Sequence, residues 1–152
     1  MMKKFIFTCG DVNGIGPEIT IKTLNAGKST SLKYYFLCPA LVFEKLARTV
    51  LPKFEFEIAN NFKQSNHSSE IVTVINIPNI KQQFGIPTKY SGKTAYDAIR
   101  LAVELAKGKK VDAIITAPIS KSAIKLAGIN FPGHTEMLAE WTGKKYFVMM
   151  FL

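Results

Sequence analysis

Histidine is scarce in this sequence, which has His67 and His134 and no other imidazole in 152 residues. Without an HExxH pattern or clustered carboxylates, the chain has no ligand set for a multi-histidine metal site of its own. Cysteine is as sparse: Cys9 and Cys38 each sit in a strand-like apolar segment, with no CxxC or Cys/His spacing. Two such thiols are expected to be free and buried in a reducing cytoplasm. No apolar run reaches the ~18 residues of a membrane span. The apolar start of "MMKKFIFTCGD" is cut short by Cys9, Gly10 and Asp11, before the ~7–15-residue core of a secretory signal could form. Acidic residues are also few, 11 against 20 Lys and Arg, and the net charge of +9 favours anionic partners. The lysines stand in ones and twos, without a basic stripe or nucleic-acid motif. The expected partner is therefore a small anionic molecule, with no nucleic acid and no membrane.

What is present is a regular alternation of strand and helix patterns on a scale that fits one compact domain of ~100–150 residues. "KKFIFT" reads as a first strand running into "CGDVNGIGPE", a glycine-rich turn. Pro17 and Glu18 suit the start of a helix, here expected over Pro17 to Ala26. Tyr34 to Pro39 reads as a second strand and Ala40 to Val50 as a second helix. Lys53 to Ala59 alternates like a half-exposed strand, and Ile71 to Ile77 is β-branched and strand-like. The polar stretch between them is expected to be a surface loop, with His67 solvated in it. After "YSG", with Ser91 available as a cap, Ala95, Ala98, Ile99, Ala102, Leu105 and Ala106 fall on one helical face that ends at Gly108. "VDAIITAP" is almost wholly apolar, as in strands of parallel sheets covered on both sides. Ser120 is placed to cap a helix that Gly128 would stop. "KKYFVMMFL" is apolar throughout from Tyr146 to Leu152. A strand of that kind needs cover on both faces, so the expectation is a longer polypeptide; the alternative is a small domain ending on its central strand.

Three turns could carry chemistry. "GDVNGIGPE" has glycines at 10, 14 and 16, which let a backbone approach a ligand beside the free N–H groups of a helix start. Its spacing matches neither GxGxxG nor the P-loop, so a tight structural turn and a cofactor turn, with Asn13 and Gly14 as contacts, both stay open. "TAPISKSAI" puts Lys121 beyond the carboxyl end of a strand, the ligand-binding edge of open α/β sheets. Lys121 could hold a phosphate or carboxylate, or be a solvated lysine. In "FPGHTEMLAEWTG", Thr135 can cap a helix, Glu136 adds first-turn charge, and His134 lies where the helix dipole keeps an imidazole neutral.

Taken together and in order, "GDVNGIGPEI", "ITAPISK" and "AGINFPGHTEMLA" resemble the N-terminal part of the 4-hydroxythreonine-4-phosphate dehydrogenase family, enzymes of pyridoxine and pyridoxal phosphate biosynthesis. The resemblance runs along essentially the whole chain, and the GHTE segment is its most specific part. It implies an α/β/α fold with a mostly parallel sheet, similar to isocitrate and isopropylmalate dehydrogenases. In that fold two domains enclose the site and two subunits form a homodimer. Residues 1–152 would be the N-terminal part of such a protein, incomplete at the C-terminus, with no internal boundary.

The implied activity is NAD-dependent oxidation of 4-phosphooxy-L-threonine at its 3-hydroxyl, followed by decarboxylation, with a divalent metal (Zn, Mg or Co) polarising the oxygen. His134 and Thr135 carry over as substrate contacts, and Lys121 takes a supporting electrostatic role. The family's metal-binding histidines lie downstream of GHTE, and none exists in this chain, so this stretch alone is expected to be inactive. Val12-Asn13 stands where the family usually has Pro-Ala. A paralogue acting on D-threonate or D-erythronate 4-phosphate is the alternative. From another class, so is a non-catalytic phosphate-binding module.

Overall fold

The computed structural model describes residues 2–77, 81–131 and 133–144. The expected last strand, 146–152, lies outside the described residues. Five strands, β1 (Lys3–Thr8), β2 (Leu32–Leu37), β3 (Glu55–Ala59), β4 (Ile71–Ile75) and β5 (Ala113–Thr116), form one sheet in the order β3-β4-β2-β1-β5. Every pairing is parallel, with Thr8 opposite Leu37 on one side and Thr116 on the other. The helices are α1 (Gly16–Gly27), α2 (Ala40–Val50), α3 (Lys89–Lys107), α4 (Lys121–Leu126) and α5 (His134–Thr142). None of the described helices is long and apolar enough to cross a membrane.

The α/β fold with a parallel sheet is the one expected. The chain steps from β1 through α1 to β2 in one direction and from β4 through α3 to β5 in the other. Right-handed crossovers therefore place α1 and α2 on one face and α3 on the opposite face. Accordingly α1 packs on α2, while α3 packs on β1, β5, α4 and α5. The core is continuous through the sheet, from Ile21, Leu24, Val42 and Phe43 on the helices, through Ile6, Phe36 and Val74, to Ala98 and Ala102 of α3.

Some boundaries move for physical reasons. Helix α3 starts earlier than "YSG": Thr88 is its N-cap, accepting from the Ser91 N–H, and Ser91 sits in the third helical position, where its hydroxyl returns the bond to the Thr88 N–H. A serine three residues after a threonine can play either part of this box, so the pattern alone did not fix which. Strand β5 is half-buried along its length and is an edge strand among the described residues. His67 is exposed as expected, yet its Nδ1 lies 2.6 Å from the hydroxyl of buried Tyr35. Ser120 caps α4 through the Ala123 N–H at 3.2 Å, as the sequence indicates.

On the α3 side of the sheet, Lys33 of β2 is fully buried. Its ammonium donates to the Ile71 carbonyl at 2.6 Å and to Thr73 Oγ1 at 2.8 Å, and lies 5.1 Å from the Tyr35 ring. Burial lowers its pKa from 10.5 to about 8, against the pull of Glu57 and with a smaller push from Lys28. Above that value the folded protein binds fewer protons than the unfolded chain, so stability should rise from about pH 8 toward pH 10. Urea midpoints across that range should show the rise in the natural protein and lose it in Lys33→Met. An unchanged slope in the variant would remove Lys33 as its source.

Candidate active site

The sheet order reverses between β1 and β5, and a crevice at the carboxyl ends of the strands is expected at such a point. The three turns singled out in the sequence meet there. The Asp11 N–H donates to the Pro118 carbonyl at 2.9 Å, joining the turn after β1 to the turn after β5. Gly10 has φ +61°, and a Cβ there would stand 2.2 Å from the Pro118 carbonyl oxygen. A Cβ on Gly16 would stand 2.2 Å from the Cys9 carbonyl oxygen. These two glycines are thus required by close backbone packing. Gly14 differs: it is exposed, and an added Cβ would meet nothing nearer than 3.5 Å, so its backbone is the open part of the turn.

Helix α5 brings the third turn to the same place. Met137 is buried with Ile99 and Val103 of α3, and Trp141 packs edge-on against Tyr96 at 5.0 Å. Lys107 of α3 donates to the Trp141 carbonyl at 2.8 Å. With α5 docked, Ile119 of the turn after β5 and Phe131 pack on the same cluster as Met137, which sets His134, the first residue of α5, beside that turn. Desolvation lowers the pKa of His134 below the usual 6.5, with the Ala117 backbone bond opposing it, so the imidazole is neutral at pH 7. Its Nε2 is buried and has no hydrogen-bond partner among the described residues.

Thr135 does not cap α5. Gly133 is the N-cap and makes no side-chain bond, while Thr135 sits half-buried at the second helical position. A helix that begins one residue before Thr135 leaves its hydroxyl free of the capping role. Lys121 is exposed at the first position of α4 and forms no ion pair among the described residues. Asn13 is buried, and its amide is committed to the segment that follows β4. No group of three or more His, Cys, Asp or Glu that could hold a metal occurs among the described residues. Cys9 and Cys38 are free and buried, and burial pushes the Cys9 thiol up to about 12, so neither thiol is poised as a nucleophile.

A family model described as pyridoxal phosphate biosynthetic protein PdxA matches residues 31–152. The chain belongs to the PdxA family. D-threonate 4-phosphate dehydrogenase of Pectobacterium atrosepticum is 34% identical over 99% of this chain and 47% of its own length. 4-Hydroxythreonine-4-phosphate dehydrogenase of Sulfurihydrogenibium sp. is 31% identical over 99% of this chain and 46% of its own length. The crystal structure of 4-hydroxythreonine-4-phosphate dehydrogenase from Klebsiella pneumoniae superposes with a TM-score of 0.81 at 36% identity, covering 93% of this chain and 45% of that one. This PdxA-family chain spans about half the length of the curated relatives it matches.

Two features of this crevice escaped the sequence reading. Thr8, the last residue of β1, is fully buried with its Oγ1 unpartnered among the described residues. Its place at the carboxyl end of a strand was the available signal. The packing of Ile119 and Phe131 on the α5 cluster joins two motifs and had no local signal. Cavity size alone would point elsewhere. A groove of about 600 Å³ runs along α3 past Asn76, Lys93 and Arg100, and another of about 640 Å³ lies between α1 and α2. Neither is lined by His134 or the glycine turn, and the ion pairs along the first, Lys93–Asp97 and Arg100–Glu104, satisfy its charges internally. The convergence of turns is the better guide to chemistry.

Proposed function

We propose that residues 1–152 form the N-terminal part of a two-domain, homodimeric, cytoplasmic dehydrogenase that oxidises 4-phosphooxy-L-threonine at its 3-hydroxyl with NAD and then decarboxylates it, in pyridoxal phosphate biosynthesis. The observation that carries the reading is a neutral, half-buried His134 with an unpartnered Nε2, held at the sheet's switch point beside Thr135. A neutral imidazole with a buried, unsatisfied nitrogen gains by turning that nitrogen to a substrate hydroxyl or ammonium, which it thereby orients. The Thr135 hydroxyl, free of the cap, can donate to a substrate oxygen. Lys121 and the +9 net charge draw the phosphorylated acid toward the crevice at long range.

NAD, when bound, supplies the hydride acceptor, and the open backbone at Gly14 is the part of the glycine turn free to meet it. The described residues hold no group of side chains that fits a divalent metal, so its ligands would come from outside them. D-threonate 4-phosphate is the second reading, favoured by the 34% identical relative of that name.

The test is a coupled assay of the protein from the complete reading frame, with NAD and Zn, Mg or Co, on each phosphorylated acid. Turnover of 4-phosphooxy-L-threonine is expected. Turnover of D-threonate 4-phosphate alone would replace the substrate. Phosphate binding without NADH formation on either acid would favour a binding module and end the enzyme reading.

A further inference from the structure

The segment after β4 is tied to the glycine turn by an unusually complete set of bonds around one side chain. The Asn13 amide donates to the Ile86 carbonyl at 2.7 Å and to Thr88 Oγ1 at 3.3 Å, and its Oδ1 accepts from the Gln83 N–H at 2.8 Å. The Asn13 carbonyl accepts from the Gly85 N–H at 2.7 Å, and Gln82 Nε2 donates to the Val12 carbonyl at 2.9 Å. Asn13 is itself oriented by its N–H to Asp11 Oδ1 at 3.0 Å. The Asp11 N–H in turn holds the Pro118 carbonyl, in the turn whose Ile119 packs on the α5 cluster. Thr88, at the far end of the segment, is the N-cap of α3, the helix on which α5 is docked.

Residues 82–88 therefore form a strap on the glycine turn, bonded at one end to the Val12 carbonyl and leading at the other, through Thr88, into α3. Phe84 and Ile86 are 52% and 57% exposed, and Ile15 of the adjoining turn is 62% exposed. Apart from the Gly85 and Gln82 bonds to the main chain of the turn and the Lys45 ammonium 4.5 Å from the Phe84 ring, the strap is held by the Asn13 side chain, and opening it there leaves a buried amide unsatisfied.

We propose that Asn13 is a positioning residue whose side chain latches the 82–88 strap at the rim of the His134 crevice, setting how tightly the proposed phosphorylated substrate is held. The functional part of this claim rests on the dehydrogenase reading; the latch itself does not. Asn13→Ala removes both halves of the latch. Asn13→Asp keeps the acceptor for Gln83 and loses the donations to Ile86 and Thr88.

The test pairs amide hydrogen exchange, without substrate, with steady-state kinetics on the protein from the complete reading frame. In Asn13→Ala the Gln83 amide should exchange at least ~10-fold faster while sheet amides keep their protection. In Asn13→Asp, Gln83 should stay protected. The KM for the phosphorylated acid should rise about 10-fold in Asn13→Ala and less in Asn13→Asp, with kcat changed less than about threefold, the pattern of lost ground-state positioning. Unchanged exchange at Gln83 overturns the latch. Faster exchange with KM unaltered, or an equal loss in kcat, overturns the positioning role. Faster exchange in a protein that turns over neither acid leaves the latch standing and sinks the dehydrogenase reading instead.

Discussion

In the protein from the complete reading frame, the dehydrogenase proposed above, replacing His134 with alanine should lower kcat/KM for the phosphorylated acid by about 100-fold, the range for losing a well-placed hydrogen-bond partner of a charged substrate. Glutamine in its place keeps a donor and an acceptor but not the geometry of the imidazole ring. It should recover only part of the loss. His134 is only half-buried. Both variants should therefore keep the fold, which far-UV circular dichroism and the urea midpoint would check.

The pH profile gives a second reading of the same residue. Because burial holds the His134 pKa below the usual 6.5, the competent neutral form persists below that pH, and kcat/KM should fall only as the pH drops through the lowered value. Stability follows the same sign. In the window between the lowered folded pKa and 6.5 the unfolded chain binds more protons, so stability rises with pH there and the rise should vanish in His134→Ala. A variant with full activity, or an activity profile that ignores this window, would exclude His134 from the site.

The second large effect is expected at Gly10. Gly10→Ala places a Cβ 2.2 Å from the Pro118 carbonyl oxygen in a residue with φ +61°. The left-handed conformation costs an alanine about 1–2 kcal/mol and the overpacking roughly 1–3 kcal/mol more. The sum is a large share of the ~5–15 kcal/mol that holds a typical domain together. Urea denaturation should show a loss of roughly 2–5 kcal/mol with an unchanged m-value. Two controls separate the causes. Gly85→Ala carries a positive φ of 73° in open space, so it should show the conformational part alone. Gly14→Ala has neither a positive φ nor a clash, so it should be nearly neutral. If Gly10→Ala were as mild as Gly14→Ala, the turns after β1 and β5 would not be in the close contact on which the crevice depends.

Much of this architecture was legible before any coordinates. The alternation in "EFEIA", the apolar run in "KKFIFT", the alanine face of α3 and the Ser120 cap are local patterns, and local patterns with a clear period survive into the fold. The helix starts were less legible. Thr88 and Ser91 are both capping residues three apart, and Thr135 and Gly133 are both admissible ends, so the choice fell to packing. Asn13 shows the limit most clearly. Its polar side chain in a glycine turn reads equally well as a ligand contact, and the bonds that commit it lie about seventy residues away in sequence.

By itself the sequence determined the element order and the parallel α/β class, because these follow from periodicity within short segments, and its resemblance across three ordered motifs pointed to the family and to His134 and Thr135. The tertiary structure decided which polar groups remain free. Burial and hydrogen-bond satisfaction are properties of surroundings assembled from distant strands and helices. Only the folded chain shows that Asn13 is fully bonded, that Gly10 and Gly16 face protein backbone, and that the Nε2 of His134 is unpartnered at the point where the sheet reverses.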